Sequence, residues 1–174
     1  MDGYLLRLLG YIFPAYVANA APVLFGGGTK IDLNKNFVDG KRLLGDGKTV
    51  NGFASGLFLG TAAGAALAVL FPADFMPLAG GLQAKTIASF FMALGALSGD
   101  LFGSFLKRRM GMERGQPSFL LDQLTFLFFA LAFSSPFHPL PGAEELVVLV
   151  VATFLLHVFF NALAHRLKLK NVPW

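Results

Sequence analysis

The chain has 174 residues, of which 55 % are hydrophobic and only 14 % charged, with a formal net charge of +4 and no cysteine. A soluble domain carries about 25 % charged residues, so this composition excludes an ordinary water-soluble globule and points to one integral membrane domain over residues 1–174. The lack of cysteine excludes disulfides and thiolate metal sites.

Five apolar stretches, each near the 20 residues or so that a bilayer span needs, are predicted at 5–25, 52–71, 84–106, 119–135 and 143–165. The first carries Pro14, Asn19 and Pro22 and has no basic leader longer than Arg7, so it reads as a kinked permanent span rather than a cleaved signal. A polar loop, 26–51, holds Lys30, Lys35, Lys41, Arg42 and Lys48. The second stretch has Gly56, Gly60 and Gly64 at four-residue spacing, which suits close packing inside the bundle more than a dimer seam. After a Pro/Gly-rich turn comes the third stretch, then the basic loop 107–118 with Lys107, Arg108, Arg109 and Arg114. The fourth stretch is followed by a proline-rich turn in which His138 is expected to be exposed. The fifth bears His157, Asn161 and His165 as one stripe, read as helix contacts at His157 and as either contacts or cavity lining at Asn161 and His165. The tail adds Arg166, Lys168 and Lys170.

Twelve of the fourteen Lys and Arg residues thus fall in loops 26–51 and 107–118 and in the tail, leaving Arg7 and Lys85 on the other side. The positive-inside rule then predicts an all-α polytopic bundle of five transmembrane helices, N-terminus outside and C-terminus cytoplasmic. The three basic segments share one aqueous face of the cell membrane.

Two carboxylates stand at the edges of apolar stretches, Asp100 and Asp122. Such a group costs roughly 2.5–3.5 kcal/mol on insertion scales, so it faces a cavity or a partner. At 100° per residue Asp100, Ser104 and Lys107 share one helix face. Asp122 lies one turn into the next helix, and the short connection makes the two helices an antiparallel hairpin. Two readings stand side by side. The carboxylates meet and share a cation such as Mg²⁺, which favours carboxylates together with substrate phosphates, or they pair with Lys107 or Arg108 and merely close the hairpin. In the first loop Gly47-Lys48-Thr49 ends like a phosphate-binding loop, but Arg42 stands where that pattern needs glycine, which excludes a P-loop NTPase. What remains is a glycine- and lysine-bearing loop suited either to anionic oxygens or to anionic lipid head groups.

The Gly99-Asp100 run with Ser104 and Lys107-Arg108-Arg109, followed by Asp122, resembles the signature region of CTP-dependent lipid cytidylyltransferases, the family of the CDP-diacylglycerol synthases. Lys48-Thr49 with Gly52 resembles their Lys-Thr-x-x-Gly element. The compact length, the 15–22 segment and Asp39-Gly40-Lys41-Arg42 are similar to the archaeal branch, the CDP-archaeol synthases. Val50-Asn51 departs from the usual residues after Lys-Thr, and Gln116-Pro117-Ser118 replaces a bacterial glycine-histidine run.

The resemblance implies that CMP passes from CTP to 2,3-bis-O-geranylgeranylglycerol 1-phosphate, an isoprenoid ether-lipid phosphate. It implies Mg²⁺ on Asp100 and Asp122, with Lys107 catalytic. Gly47, Lys48, Thr49, Arg108, Arg109 and Asn19 would hold the nucleotide, Lys41, Arg42 and Ser104 the substrate phosphate, and a groove between spans would admit the lipid chains. The partners are then CTP, the lipid phosphate and the bilayer, with no nucleic acid; the oligomeric state is left open. The missing Ala-Arg after Asp39-Gly40 argues against a phosphatidyltransferase. A small transporter or channel with an intramembrane carboxylate pair is the rival, disfavoured because the polar groups cluster at one end.

Overall fold

A computed structural model describes residues 2–112, 116 and 118–168. Five helices follow in order: α1 (Asp2–Phe25), α2 (Val50–Leu70), α3 (Leu82–Arg109), α4 (Phe119–Ser134) and α5 (Ala143–Arg166), with a single 3₁₀ turn at Pro77–Ala79. The all-α fold of five helices is the expected one. Among the described residues α1, α2, α3 and α5 are long and apolar enough to cross a membrane. α4, with 16 residues, rises about 24 Å against a hydrocarbon core of about 30 Å.

The bundle is assembled by removing side chains. Pro22 has no N–H, so it leaves the Ala18 carbonyl of α1 without its helical partner. That carbonyl meets Gly56 of α2, where an added Cβ would lie 2.6 Å from the oxygen. One turn on, a Cβ at Gly60 would lie 2.8 Å from the Pro14 oxygen, and at Gly64 it would lie 2.0 Å from Ser89 Oγ of α3. Gly52, Gly56, Gly60, Gly64 and Ala68 form the buried stripe of α2. The four-residue spacing is therefore an internal seam against α1 and α3. A second seam, Gly95, Gly99 and Gly103 of α3, lets α4 approach until its Phe129 and Thr125 carbonyls would lie 2.3 and 2.4 Å from a Cβ at Gly95 and Gly99. α2 begins at Val50, two residues earlier than its apolar stretch, because Thr49 caps it: the Thr49 hydroxyl accepts from the backbone N–H of Gly52 (3.2 Å) and Gly27 (3.1 Å).

α5 is attached differently. Its buried residues are Leu149 and Thr153 alone among those described, and the Tyr16 and Thr153 hydroxyls form a 2.8 Å hydrogen bond that ties it to α1. At the same end as the α2–α3 connection, Lys85 is buried and donates to the Pro72 carbonyl at 2.5 Å, while Arg7 pairs with Asp74 at 2.9 Å. His138 is not exposed as expected. Its ring lies 4.9 Å from that of Tyr11, and burial pushes its pKa below the usual histidine value.

Candidate active site

The opposite end of the bundle carries the basic loops. Loop 26–49 is a built structure rather than a loose basic strand. Single bridges join Lys30 to Thr49 and Asn36 to Arg42. At its centre the Asp32 carboxylate, 1 % exposed, accepts both oxygens' worth of bonds from Arg42 Nη2 (2.9 and 3.1 Å) and one from the Leu44 N–H at 3.1 Å. Asp46 accepts from Lys30 at 2.6 Å and from Arg42 Nη1 at 3.0 Å. Arg42 is thereby committed to the loop's own frame.

Arg109, in the last turn of α3, fastens this loop to the bundle. Its guanidinium lies 4.9 Å from the Phe37 ring and 5.0 Å from the Phe105 ring, and these two rings meet edge to face. It pairs with Asp39 and donates to the Lys41 and Arg42 carbonyls, and Lys41 Nζ returns a bond to the Arg109 carbonyl at 3.1 Å. Neither Phe37 nor Phe105 carries a sequence signal, since aromatic residues are abundant throughout the chain; Asp32 and Asp46 are equally silent.

The α3 face foreseen from spacing is real, and each of its three polar residues meets a different partner. Asp100 receives Lys48 Nζ at 2.5 Å. Ser104 Oγ accepts the Gly45 N–H at 3.2 Å, seating the glycine-bearing loop on the helix. Lys107 pairs with Asp122 of α4, whose other oxygen accepts the Ser118 N–H at 3.2 Å and so satisfies a donor that the start of that helix leaves without a partner. The hairpin ion pair of Lys107 with Asp122 is thus formed, while Asp100 turns to the first loop instead. Gly47, Lys48, Thr49 and Asp100 line one crevice with Pro22 and Gly52. Arg108 is half-buried at the end of α3. Asn19 is brought elsewhere: it lines a separate groove between α1 and α5, together with His157 and Asn161.

The donor set bears on a metal. Among the described residues no three His, Asp or Glu side chains gather into a ready-made cage. Asp100 and Asp122 are 30 % and 29 % exposed, at the same end of two packed helices, and each already faces one ammonium. Two accessible carboxylates fit Mg²⁺, which is commonly held by one or two carboxylates with the remaining positions filled by substrate phosphates and waters.

A family model described as CarS-like, CDP-archaeol synthase, matches residues 1–174. A CDP-archaeol synthase of Pyrococcus abyssi is 48 % identical over 164 residues, covering 94 % of this chain and 95 % of its own. One of Methanocaldococcus jannaschii is 42 % identical over 173 residues, covering 98 % and 97 %. A solved structure of an intramembrane enzyme for archaeal membrane lipids biosynthesis superposes with a TM-score of 0.80 at 40 % identity, over 90 % of this chain and 94 % of that one.

Proposed function

The chain belongs to the CarS-like family of CDP-archaeol synthases and is a multi-pass membrane enzyme; on that footing we propose that it transfers CMP from CTP to an isoprenoid ether-lipid phosphate, on the cytoplasmic side of the membrane. The observation that carries this reading is the Asp100–Ser104–Lys107 face of α3, which gathers a glycine-bearing loop, Lys48 and Asp122 at one end of the bundle.

In the proposed reaction an oxygen of the lipid phosphate attacks the α-phosphorus of CTP. The new P–O bond replaces the α–β bridge, and pyrophosphate leaves. A phosphate monoester has its second pKa near about 6, so the nucleophile is already ionised and needs no strong base. Catalysis then rests on alignment and on neutralising the leaving charge. Lys48, beside Gly47 in the crevice, suits the triphosphate. Lys107 suits the departing pyrophosphate, with Arg108 and Lys41 adding positive charge at the rim. Ser104 acts by holding Gly45, and Arg42 and Arg109 by holding the loop in register. Mg²⁺, which Asp100 and Asp122 would hold, supplies charge neutralisation and a template for the phosphates when bound.

The test is turnover of labelled CTP with the diether glycerol phosphate, read as pyrophosphate release per folded molecule over a Mg²⁺ titration. Asp100→Asn and Asp122→Asn should each lower turnover by at least about 10²-fold, the scale expected when one charge-stabilising group is lost. CTP should outcompete ATP and GTP at fixed lipid. Equal turnover with ATP, or near-normal activity in the folded Asn variants, overturns the reading.

A further inference from the structure

Two ion pairs divide the charge of the site, and they are built in opposite senses. α3 gives the carboxylate to one and the ammonium to the other: Asp100 receives Lys48 from loop 26–49, and Lys107 reaches Asp122 of α4. Asp100 and Lys107 stand about 10 Å apart along one face of the helix, at 1.5 Å per residue. The pairs therefore alternate in sign, and their four charges sum to zero.

Among the described residues each lysine head bonds its carboxylate and no other group. The lysine backbones are fixed. The Lys48 N–H donates to the Gly45 carbonyl and the Lys48 carbonyl accepts from the Ile31 N–H, both at 3.0 Å, while the Lys107 carbonyl accepts from the Met112 N–H at 3.0 Å. The heads are free to turn, since each sits on a flexible four-carbon stem. The Lys48 and Lys107 side chains are 25 % and 17 % exposed. A sealed pair would be held shut by the cost of parting its charges, and an open one would be screened by salt. These lie between, so each ammonium can pass to a new anion by rotating its own side chain.

That balance decides what the site accepts. A divalent cation arriving by itself at either carboxylate meets an ammonium already there, and like charges repel. A triphosphate arriving by itself at either lysine meets a carboxylate. When both arrive, the phosphates take over the ammoniums and leave the carboxylates to the cation, so every charge gains an opposite neighbour. We propose that Lys48 and Lys107 are built-in counter-cations that keep the divalent ion off Asp100 and Asp122 until a nucleoside triphosphate draws them away, so that ion and nucleotide bind cooperatively. The proposal rests on the transferase reading for the identity of the nucleotide. It gives each lysine a role opposite to that of a plain phosphate ligand: without nucleotide, the lysine competes with the metal.

The experiment uses the full chain in phosphatidylcholine nanodiscs, with Mn²⁺ as an oxygen-seeking stand-in for Mg²⁺ whose bound fraction is read by electron paramagnetic resonance. The nucleotide is the α,β-methylene analogue of CTP, which cannot be cleaved at the reacting bridge. The natural chain should bind Mn²⁺ at least about tenfold more weakly without the analogue than with it, once ion held by free analogue is subtracted. Mn²⁺ should tighten the analogue by the same factor, because such coupling is reciprocal. Lys48→Met and Lys107→Met remove the charge and keep an unbranched stem. Each should bind Mn²⁺ in the absence of nucleotide about tenfold more tightly than the natural chain, and bind the analogue more weakly. Adding Asp100→Asn to the first, or Asp122→Asn to the second, should cancel the gain. Lys48→Gln and Lys107→Gln give the same readout if the Met variants do not fold. A lysine that only holds phosphate leaves nucleotide-free Mn²⁺ binding unchanged. That result in both variants, or weaker binding, overturns the proposal, and CTP turnover by the natural chain would still uphold the transferase reading. Tighter Mn²⁺ binding in the variants, with no CTP turnover by the natural chain, upholds the competition between lysine and metal and removes the transferase reading.

Discussion

Asp32 is the residue on which the first loop closes. Burial alone would raise its carboxyl pKa, but the Arg42 bonds and the N–H groups of Asn34 and Leu44 outweigh it and hold the group below the usual carboxylate range. Asp46 is held low by its bonds from Lys30 and then Arg42. A carboxyl whose pKa is lower folded than unfolded stabilises the fold wherever it is ionised in both states. That contribution fades as pH falls through the folded value. Proteolysis of loop 26–49 should therefore stay slow from neutral pH to about pH 4 and accelerate only below it. Asp32→Asn should open the loop already at pH 7, by about 2 kcal/mol for the lost charge-assisted bonds, and its cleavage rate should vary less with acid. An unchanged rate at pH 7 would remove Asp32 from this role. Asp100 and Asp122 were legible in the sequence because a carboxylate beside hydrocarbon is conspicuous. Asp32 was not, because a carboxylate in a polar loop looks like any other until the chain folds over it. The same reason hid Phe37 and Phe105 behind the chain's many other aromatic residues.

At the scale of the element, two glycine seams set how closely the helices lie. Gly64→Ala would put a methyl 2.0 Å from Ser89 Oγ and 2.2 Å from its Cβ, so α2 and α3 must part. A loss of about 1–3 kcal/mol is expected, as for overpacked cores. Gly10→Ala, with nothing within 4 Å of the added carbon, is the matched control and should leave the unfolding midpoint in detergent unchanged. Equal midpoints for the two variants would mean the seam yields without cost. The α2 seam was readable from its even spacing. The α3 seam is less legible: Gly95, Gly99 and Gly103 repeat with the same period, but Asp100 and Ser104 interrupt the small-residue pattern with polar groups that point to chemistry rather than packing. Helix ends shifted by a few residues where caps such as Thr49 lie outside the apolar run.

For the whole molecule, the number of helices and the gathering of basic loops at one end followed from composition and spacing. The position of Asn19 did not, since it depends on α5 standing away from α1, a matter of which contacts are absent. The sidedness is testable on the natural cysteine-free background: single cysteines at Lys41 and Gln116 should resist an impermeant reagent added outside intact cells and react once the membrane is opened. Strong labelling from outside would invert the orientation.

The two lysine–carboxylate pairs carry a consequence for how the protein tolerates its own resting state. Because Lys48 and Lys107 already balance Asp100 and Asp122, assembly does not wait for an ion, unlike folds whose ligand cluster is unstable until loaded. Treatment with EDTA should therefore silence the enzyme while leaving its thermal unfolding midpoint within about 1 °C. On the proposed metal dependence, the chain would then reach the bilayer, insert and persist there fully assembled while the divalent ion is scarce, ready to resume when it returns.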